Sequence, residues 1–116
     1  MYNKYKNKKI VIDSIKFDSH KEARKYTELK MLERAGLIKN LELQKEFVLQ
    51  PAFRKNNKSY RKITYKADFS YYDVELDKTV VIDVKPSKTF KTDVYRLKHK
   101  LFEYKYPDLE IKEVYK

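Results

Sequence analysis

The sequence predicts an α/β (α+β) domain in which one mixed β-sheet is flanked by helices and preceded by a β-hairpin. Alternating apolar and polar residues, typical of strands, fill the middle of the chain, and helical periodicity lies before and after them. The order of helix, three strands, helix and strand implies that a helical crossover leads to the fourth strand. Since 116 residues suffice for one modest core, we expect a single domain over 1–116 with a basic N-terminus at 1–8.

Local signals of helix, strand or turn occur in eight segments. They are a β-hairpin over 9–17, a helix over 19–35, a strand over 41–53, a polar and basic turn over 54–62, strands over 63–72 and 79–85, a helix over 92–106 and a strand over 109–115. The hairpin turns at Asp13-Ser14. The first helix can be capped by Ser19 and can end at Gly36, because glycine tolerates the left-handed conformation that follows many helices.

Alternation and β-branched composition identify the central strands. The strand over 41–53 should end near Pro51, because proline has no amide to donate to a ladder. Residues 63–72 alternate, and the run TVVIDVK over 79–85 is rich in β-branched residues typical of a buried strand. The second helix stops before Pro107.

Several classes of protein are excluded by composition. There are no cysteines, which rules out disulfides, zinc–cysteine sites and thiol nucleophiles, and only two histidines. No stretch approaches the roughly 20 apolar residues that span a bilayer, and the apolar run near the N-terminus is too short for a signal peptide. We therefore expect an intracellular, cytoplasmic protein, in the host cytoplasm if it is phage-encoded, with no membrane partner.

Charge is the strongest global signal, because Lys plus Arg is 28 and Asp plus Glu is 17, a net charge of +11. Such an excess on a small domain favours a polyanionic partner, and nucleic acid is the leading interpretation. The alternative is that a lysine-rich surface reflects genome composition and solubility.

Two aspartates and a lysine fall on neighbouring predicted strands. If Asp73 pairs with Lys78, antiparallel pairing brings Asp68 directly opposite Asp83, and alternation points Asp83 and Lys85 to the same side. Two carboxylates so close repel unless a cation joins them, and a divalent metal with oxygen ligands such as Mg²⁺ resolves the conflict. The alternative is that the aspartates are ordinary polar residues at strand ends, although Asp83 lies inside an apolar run where an unpaired charge is costly.

These residues also carry a resemblance to a known nuclease group. Ala67-Asp68 followed by IDVK over 82–85 resembles the PD-(D/E)XK signature, with alanine in place of proline and with Pro86 where glycine is expected. Four longer segments resemble a family of small phage-encoded proteins in that superfamily, near Holliday junction resolvases: FDSHKEARKYTELKMLERAG, YKADFSYYD, VIDVK and YRLKHKLFEYKYP. The resemblance covers about residues 9–115 and implies a restriction-endonuclease-like αβββαβ core.

The resemblance implies roles for individual residues. Asp68 and Asp83, with the Val84 carbonyl, would hold one or two Mg²⁺ ions, for which Mn²⁺ can substitute. Lys85 would be a general base, or would orient water or neutralise the phosphate. Glu22 stands where the superfamily often has another acidic ligand, but Ser19-x-x-Glu22 is also a capping box.

Basic residues are the candidates for nucleic-acid contact. They are Lys88 and Lys91 before the second helix, Arg96, Lys98 and Lys100 on that helix, and Arg54, Lys58 and Arg61 in the basic turn. The alternative for the basic turn is that it is merely solvated.

The leading function is that of a metal-dependent DNA endonuclease. By family analogy it would be a phage recombination or replication nuclease acting on branched or otherwise structured DNA, such as a Holliday junction resolvase, which needs two active sites and hence a homodimer. A restriction-like or transposon-end nuclease is an enzymatic alternative. Two further alternatives are a non-catalytic nucleic-acid-binding protein that retains the nuclease fold and a structural phage protein.

Overall fold

The computed structural model describes residues 9–85, 87 and 91–115; the basic N-terminus at 1–8, Pro86 and Lys88 lie outside these ranges. The elements, in chain order, are β1 (Ile10–Ile12), β2 (Ile15–Phe17), α1 (His20–Arg34), β3 (Ile38–Gln50), β4 (Phe53–Lys55), β5 (Lys58–Tyr60), β6 (Ile63–Asp73), β7 (Lys78–Val84), α2 (Asp93–Lys105) and β8 (Ile111–Val114). The described ranges contain no helix that is both long enough and apolar enough to cross a lipid bilayer.

The main sheet has four strands in the order β3-β6-β7-β8. The first three pair antiparallel and β8 lies parallel to β7, so α2 is the crossover that returns the chain to the same end of the sheet. The antiparallel pair β1 and β2 precedes α1. This arrangement confirms the predicted fold class, a mixed sheet with two helices and an N-terminal hairpin.

The boundaries of α1 follow from its first and last residues. The Ser19 hydroxyl accepts a hydrogen bond from the Glu22 amide at 3.1 Å, which satisfies one of the free amides at the helix N-terminus. At the other end Gly36 has a φ of +79°, the left-handed conformation that glycine adopts without a steric penalty. Both predicted boundary signals are confirmed.

The apolar interior consists of two clusters on either side of the sheet. One packs Leu29 of α1 against Phe69 and Ile82, and the other packs Phe102 of α2 against Phe47 and Val81. In β6 the change from one cluster to the other takes place within the strand. Tyr65 and Ala67 pack with α2, whereas Phe69 and Tyr71 pack with α1.

The point where β6 changes face lies at Asp68, opposite Gln44 of β3. Gln44 has a φ of +54°, and it falls between the pairs Leu43–Phe69 and Lys45–Ala67. A left-handed residue breaks the alternation of side chains in its own strand, because alternation requires extended backbone on both sides. β6 is paired with β3 on both sides of Gln44 and changes face at the same level. The alternation predicted for residues 63–72 would put every odd residue from Ile63 to Tyr71 on one face, but Tyr65 and Ala67 pack on the α2 side.

The segment predicted as a basic turn, 54–62, is mostly a second hairpin. β4 and β5 pair with each other alone, and Asn56 and Asn57 adopt φ values of +52° and +62° at the tip. Two consecutive left-handed residues form the tight turn that matches the twist of a two-residue hairpin, and asparagine tolerates this conformation well.

Candidate active site

Asp83 and Lys85 form a largely buried ion pair at the end of β7. Their side chains meet, and the Lys85 Nζ lies 2.9 Å from the Asp83 Oδ1. The other carboxylate oxygen accepts a hydrogen bond of 2.5 Å from the hydroxyl of Tyr65. Burial and the charge of Asp83 raise the pKa of the Tyr65 hydroxyl, so Tyr65 keeps its proton and remains a donor.

Asp68 occupies the point where β6 changes face. Its Oδ2 accepts a hydrogen bond of 2.7 Å from the Val84 amide, and its Oδ1 accepts one of 3.3 Å from the Gln44 side chain. Burial raises the pKa of the Asp68 carboxyl, the Val84 amide opposes that rise, and the charge of Asp83 adds to it. Asp68 and Asp83 are therefore close enough to interact through their charges.

The predicted register holds along most of β6 and β7 but fails at the site. The pairs Asp73–Lys78, Tyr72–Thr79 and Phe69–Ile82 form as predicted. The ladder ends there, so the predicted Asp68–Asp83 pair does not form. Beyond Ile82 the Asp68 side chain takes the place of backbone pairing by accepting from the Val84 amide.

Glu22 approaches this strand end from α1. It is half-buried and lines a cleft of about 500 Å³ together with Val84 and Lys85. Burial raises the pKa of its carboxyl to about 7, with further contributions from the negative charges of Asp68, Asp18 and Asp83. A capping box has two hydrogen bonds, and one of them is present: the Ser19 hydroxyl accepts from the Glu22 amide. Among the described residues, the Glu22 carboxylate has no hydrogen-bond partner.

Glu22→Gln is expected to stabilise the protein at pH 8 but not at pH 4.5. The folded protein retains a proton at Glu22 up to a pKa of about 7, against an ordinary glutamate pKa of 4.5, so unfolding becomes easier as pH rises through that window. The full shift corresponds to about 3 kcal/mol, and solvent screening of a half-exposed group reduces the expected gain to about 1–2 kcal/mol at pH 8.

Urea unfolding at the two pH values measures this gain. Glu28→Gln on the exposed face of the same helix is the control, and because Glu28 is paired with Lys25 it should not stabilise the protein at pH 8. Because glutamine can also complete a capping box, a loss of stability at both pH values would show that burial of the charged carboxylate and repulsion by the aspartates do not govern Glu22.

The donor set at this strand end suits a hard divalent cation. Mg²⁺ and Mn²⁺ take carboxylate and carbonyl oxygens as ligands, and here the charges of Asp68 and Asp83 raise the pKa of Glu22. Within residues 9–85, 87 and 91–115, no three His, Cys, Asp or Glu side chains are grouped closely enough to hold a metal. The two aspartates are the candidates for holding such a cation, with Glu22 adding charge from α1. The metal-binding roles of these residues and of the Val84 carbonyl remain predictions.

A second cleft opens at the same strand end on the side of α2. It measures about 360 Å³, and Asp83, Tyr65, Tyr95, Lys66 and Lys98 are among its lining residues. The Lys85 ammonium lies 3.2 Å from the centroid of the Tyr95 ring, in the geometry of a cation–π contact. The end of β7 is thus bordered by a cleft on each face of the sheet.

The predicted nucleic-acid residues are distributed unevenly around these clefts. Lys98 lines the cleft that contains Asp83. Lys91 is paired with Glu113 at 3.0 Å, and Arg96 lines a separate cleft with them. Lys100 is exposed on α2, Arg54 and Lys58 are exposed on the β4–β5 hairpin, and Arg61 is exposed just beyond it. Lys88 lies outside the described residues.

Three residues of the site were not predicted from the sequence. Tyr65 holds Asp83, Tyr95 lies against Lys85, and Gln44 contacts Asp68. The tyrosines have the alternation and helical spacing of core residues, and nothing in the sequence marks Gln44 as left-handed. The only available signal was that a buried carboxylate requires a donor.

Comparison with known proteins gives one match. The model of the family described as "Protein of unknown function (DUF1064)" matches residues 2–116. No curated protein and no solved structure matches the chain.

Proposed function

The chain belongs to the DUF1064 family of proteins of unknown function, and we propose that it is a divalent-metal-dependent endonuclease that hydrolyses phosphodiester bonds in DNA. The observation that supports this most is the arrangement at the end of β7. A buried aspartate is paired with a lysine two residues on, and a second aspartate from β6 is hydrogen-bonded to the amide between them.

This arrangement concentrates charges of both signs at one accessible point. Structural ion pairs are usually exposed or replaceable by apolar residues, and this one is buried in an apolar strand beside two further carboxylates. Burial and neighbouring negative charges raise the pKa values of Asp68 and Glu22, and carboxyl groups perturbed in this way at the edge of clefts are typical of a catalytic centre. The net charge of +11 supports a polyanionic substrate.

The proposed roles follow from these positions. Asp68 and Asp83 would hold Mg²⁺ or Mn²⁺, which when bound activates water and stabilises charge on the phosphate. Tyr65 keeps the Asp83 carboxylate oriented by donating to it. Lys85, held between Asp83 and the Tyr95 ring, contributes a positive charge at the scissile phosphate or takes a proton from water. Lys98 borders the same cleft and would contact the neighbouring phosphate.

The narrower proposal is a phage nuclease of DNA recombination or replication that cuts branched DNA as a homodimer, such as a Holliday junction resolvase. It rests on the resemblance of segments such as VIDVK to that group. A two-fold substrate with two scissile strands would match a symmetric pair of sites.

Cleavage of defined substrates tests the proposal. Plasmid, single-stranded DNA and four-way junctions are incubated with the protein in Mg²⁺, in Mn²⁺ and in EDTA, beside Asp68→Asn. We expect cutting only with metal, at least a hundredfold slower for the variant. If the wild type binds these substrates but leaves all of them intact with either metal, the protein is a non-catalytic nucleic-acid-binding module.

A further inference from the structure

The β4–β5 hairpin has no partner in the sheet. Its strands pair only with each other, and every residue from Pro51 to Arg61 is exposed. An isolated two-stranded hairpin is marginally stable in water. Here the stem is held by the stacked rings of Phe53 and Tyr60, with centroids 4.6 Å apart and an interplanar angle of 8°.

The charges on this hairpin are all positive. Arg54, Lys55, Lys58, Arg61 and Lys62 lie between 51 and 62, and this segment contains no acidic residue. Lys62 is paired with Glu46 at 2.8 Å, and no acidic side chain among residues 9–85, 87 and 91–115 forms an ion pair with the basic residues of the hairpin itself. A solvated turn would gain nothing from such a concentration of like charge.

The tip places two of these charges directly opposite each other. Lys55 pairs with Lys58 across the ladder, so both side chains point to the same face. Like charges at directly opposed positions destabilise a strand pair, and the described residues place no carboxylate against either lysine. An anion bound between the two ammonium groups would remove this repulsion.

We propose that the β4–β5 hairpin is a separate DNA-binding arm, in which Lys55 and Lys58 together take a backbone phosphate of duplex DNA. The proposal rests on the proposed DNA substrate but not on cleavage. Arg54, on the opposite face, is hydrogen-bonded to Ser59 at 2.8 Å and keeps its charge available on that side. Only Arg61 and Lys62 separate the arm from β6, whose Thr64 and Lys66 line the cleft with Asp83, so DNA on the arm would continue towards that cleft.

The test is the affinity of Lys55→Gln/Lys58→Gln for a 20-base-pair duplex in EDTA, where cleavage does not interfere. Lys39→Gln/Lys78→Gln, exposed at the opposite end of the sheet, is the matched control that removes the same two charges. We expect the arm variant to bind about tenfold more weakly, with a salt slope lower by about 1–2, and the control to bind as the wild type. The arm variant should unfold at the same temperature as the wild type or slightly higher, since repulsion is relieved.

Three results would overturn the arm. They are wild-type affinity in both variants, an equal loss of duplex affinity in both, and an arm variant that loses affinity only for vesicles of anionic lipid, measured in parallel, with its duplex binding unchanged. Cleavage is scored separately with the wild type. If the wild type does not cut DNA and only the arm variant loses affinity, the nuclease proposal is contradicted and the arm proposal is supported. If the wild type cuts DNA and the two variants bind alike, only the arm proposal is contradicted.

Discussion

Asp83→Asn is expected to lower the rate of DNA cleavage by about a thousandfold, which corresponds to about 4 kcal/mol of transition-state stabilisation. Asparagine preserves the shape of the side chain and can still accept from Tyr65, but it has no charge. Lys85 then loses the partner 2.9 Å away, and the centre loses one of its two anionic oxygen donors from adjacent strands. DNA affinity should be retained, because the substitution makes the protein more positive.

Single-turnover cleavage with excess enzyme measures this effect without the contribution of product release. Asp108→Asn is the matched control, since Asp108 is exposed in the turn before β8 and the substitution changes net charge equally. It should cut at the wild-type rate. Equal rates for the wild type and Asp83→Asn would remove Asp83 from the site and leave the buried ion pair as a structural feature.

Phe102→Ala is expected to have the largest effect on stability, a loss of about 3–5 kcal/mol. Phe102 is fully buried, and its ring lies 5.1 Å from that of Phe47 and 5.6 Å from that of Tyr65. Without the ring, α2 would lose its main packing contact with the sheet and leave a cavity there. The free energy of unfolding of such domains is about 5–15 kcal/mol in total. The variant should therefore be close to the point at which the domain no longer folds.

Urea unfolding followed by circular dichroism gives the free energy of unfolding for this variant and its control. Tyr104→Ala removes an aromatic ring from the same helix at a position that is 87% exposed, and it should change the free energy by less than about 0.5 kcal/mol. Because Phe102 contacts the ring of Tyr65, which holds Asp83, the Phe102 variant should also cut DNA more slowly. Similar losses for the two variants would mean that α2 is not anchored by Phe102.

Most of the fold could be predicted because local chemistry and topology agree. Ser19 and Gly36 mark the ends of α1, and the short turn between β6 and β7 sets the Tyr72–Thr79 register. The hairpin at 53–60 was missed because its residues carry no apolar alternation, although Asn56-Asn57 is a turn signal. An isolated hairpin buries too little to leave a hydrophobic pattern.

The site could be predicted in composition but only partly in geometry. The buried position of Asp83 and its contact with Lys85 follow from an apolar strand with period two. The position of Asp68 does not, because it depends on a left-handed Gln44 in the neighbouring strand, and a non-glycine residue gives no warning of this conformation. Tyr65 could not be assigned to Asp83, because the same conformational break moved it to the other face of the sheet.

The change of face at Gln44 and Asp68 also bears on how the protein opens. Each helix covers its own apolar cluster, so we expect amide exchange on the α1 and α2 sides to report separate opening free energies. Asp68 lies between the two apolar clusters. Lys85 contacts Tyr95 of α2, whereas Glu22 lies on α1. The complete constellation requires both helices in place, so its population would follow the side with the lower opening free energy.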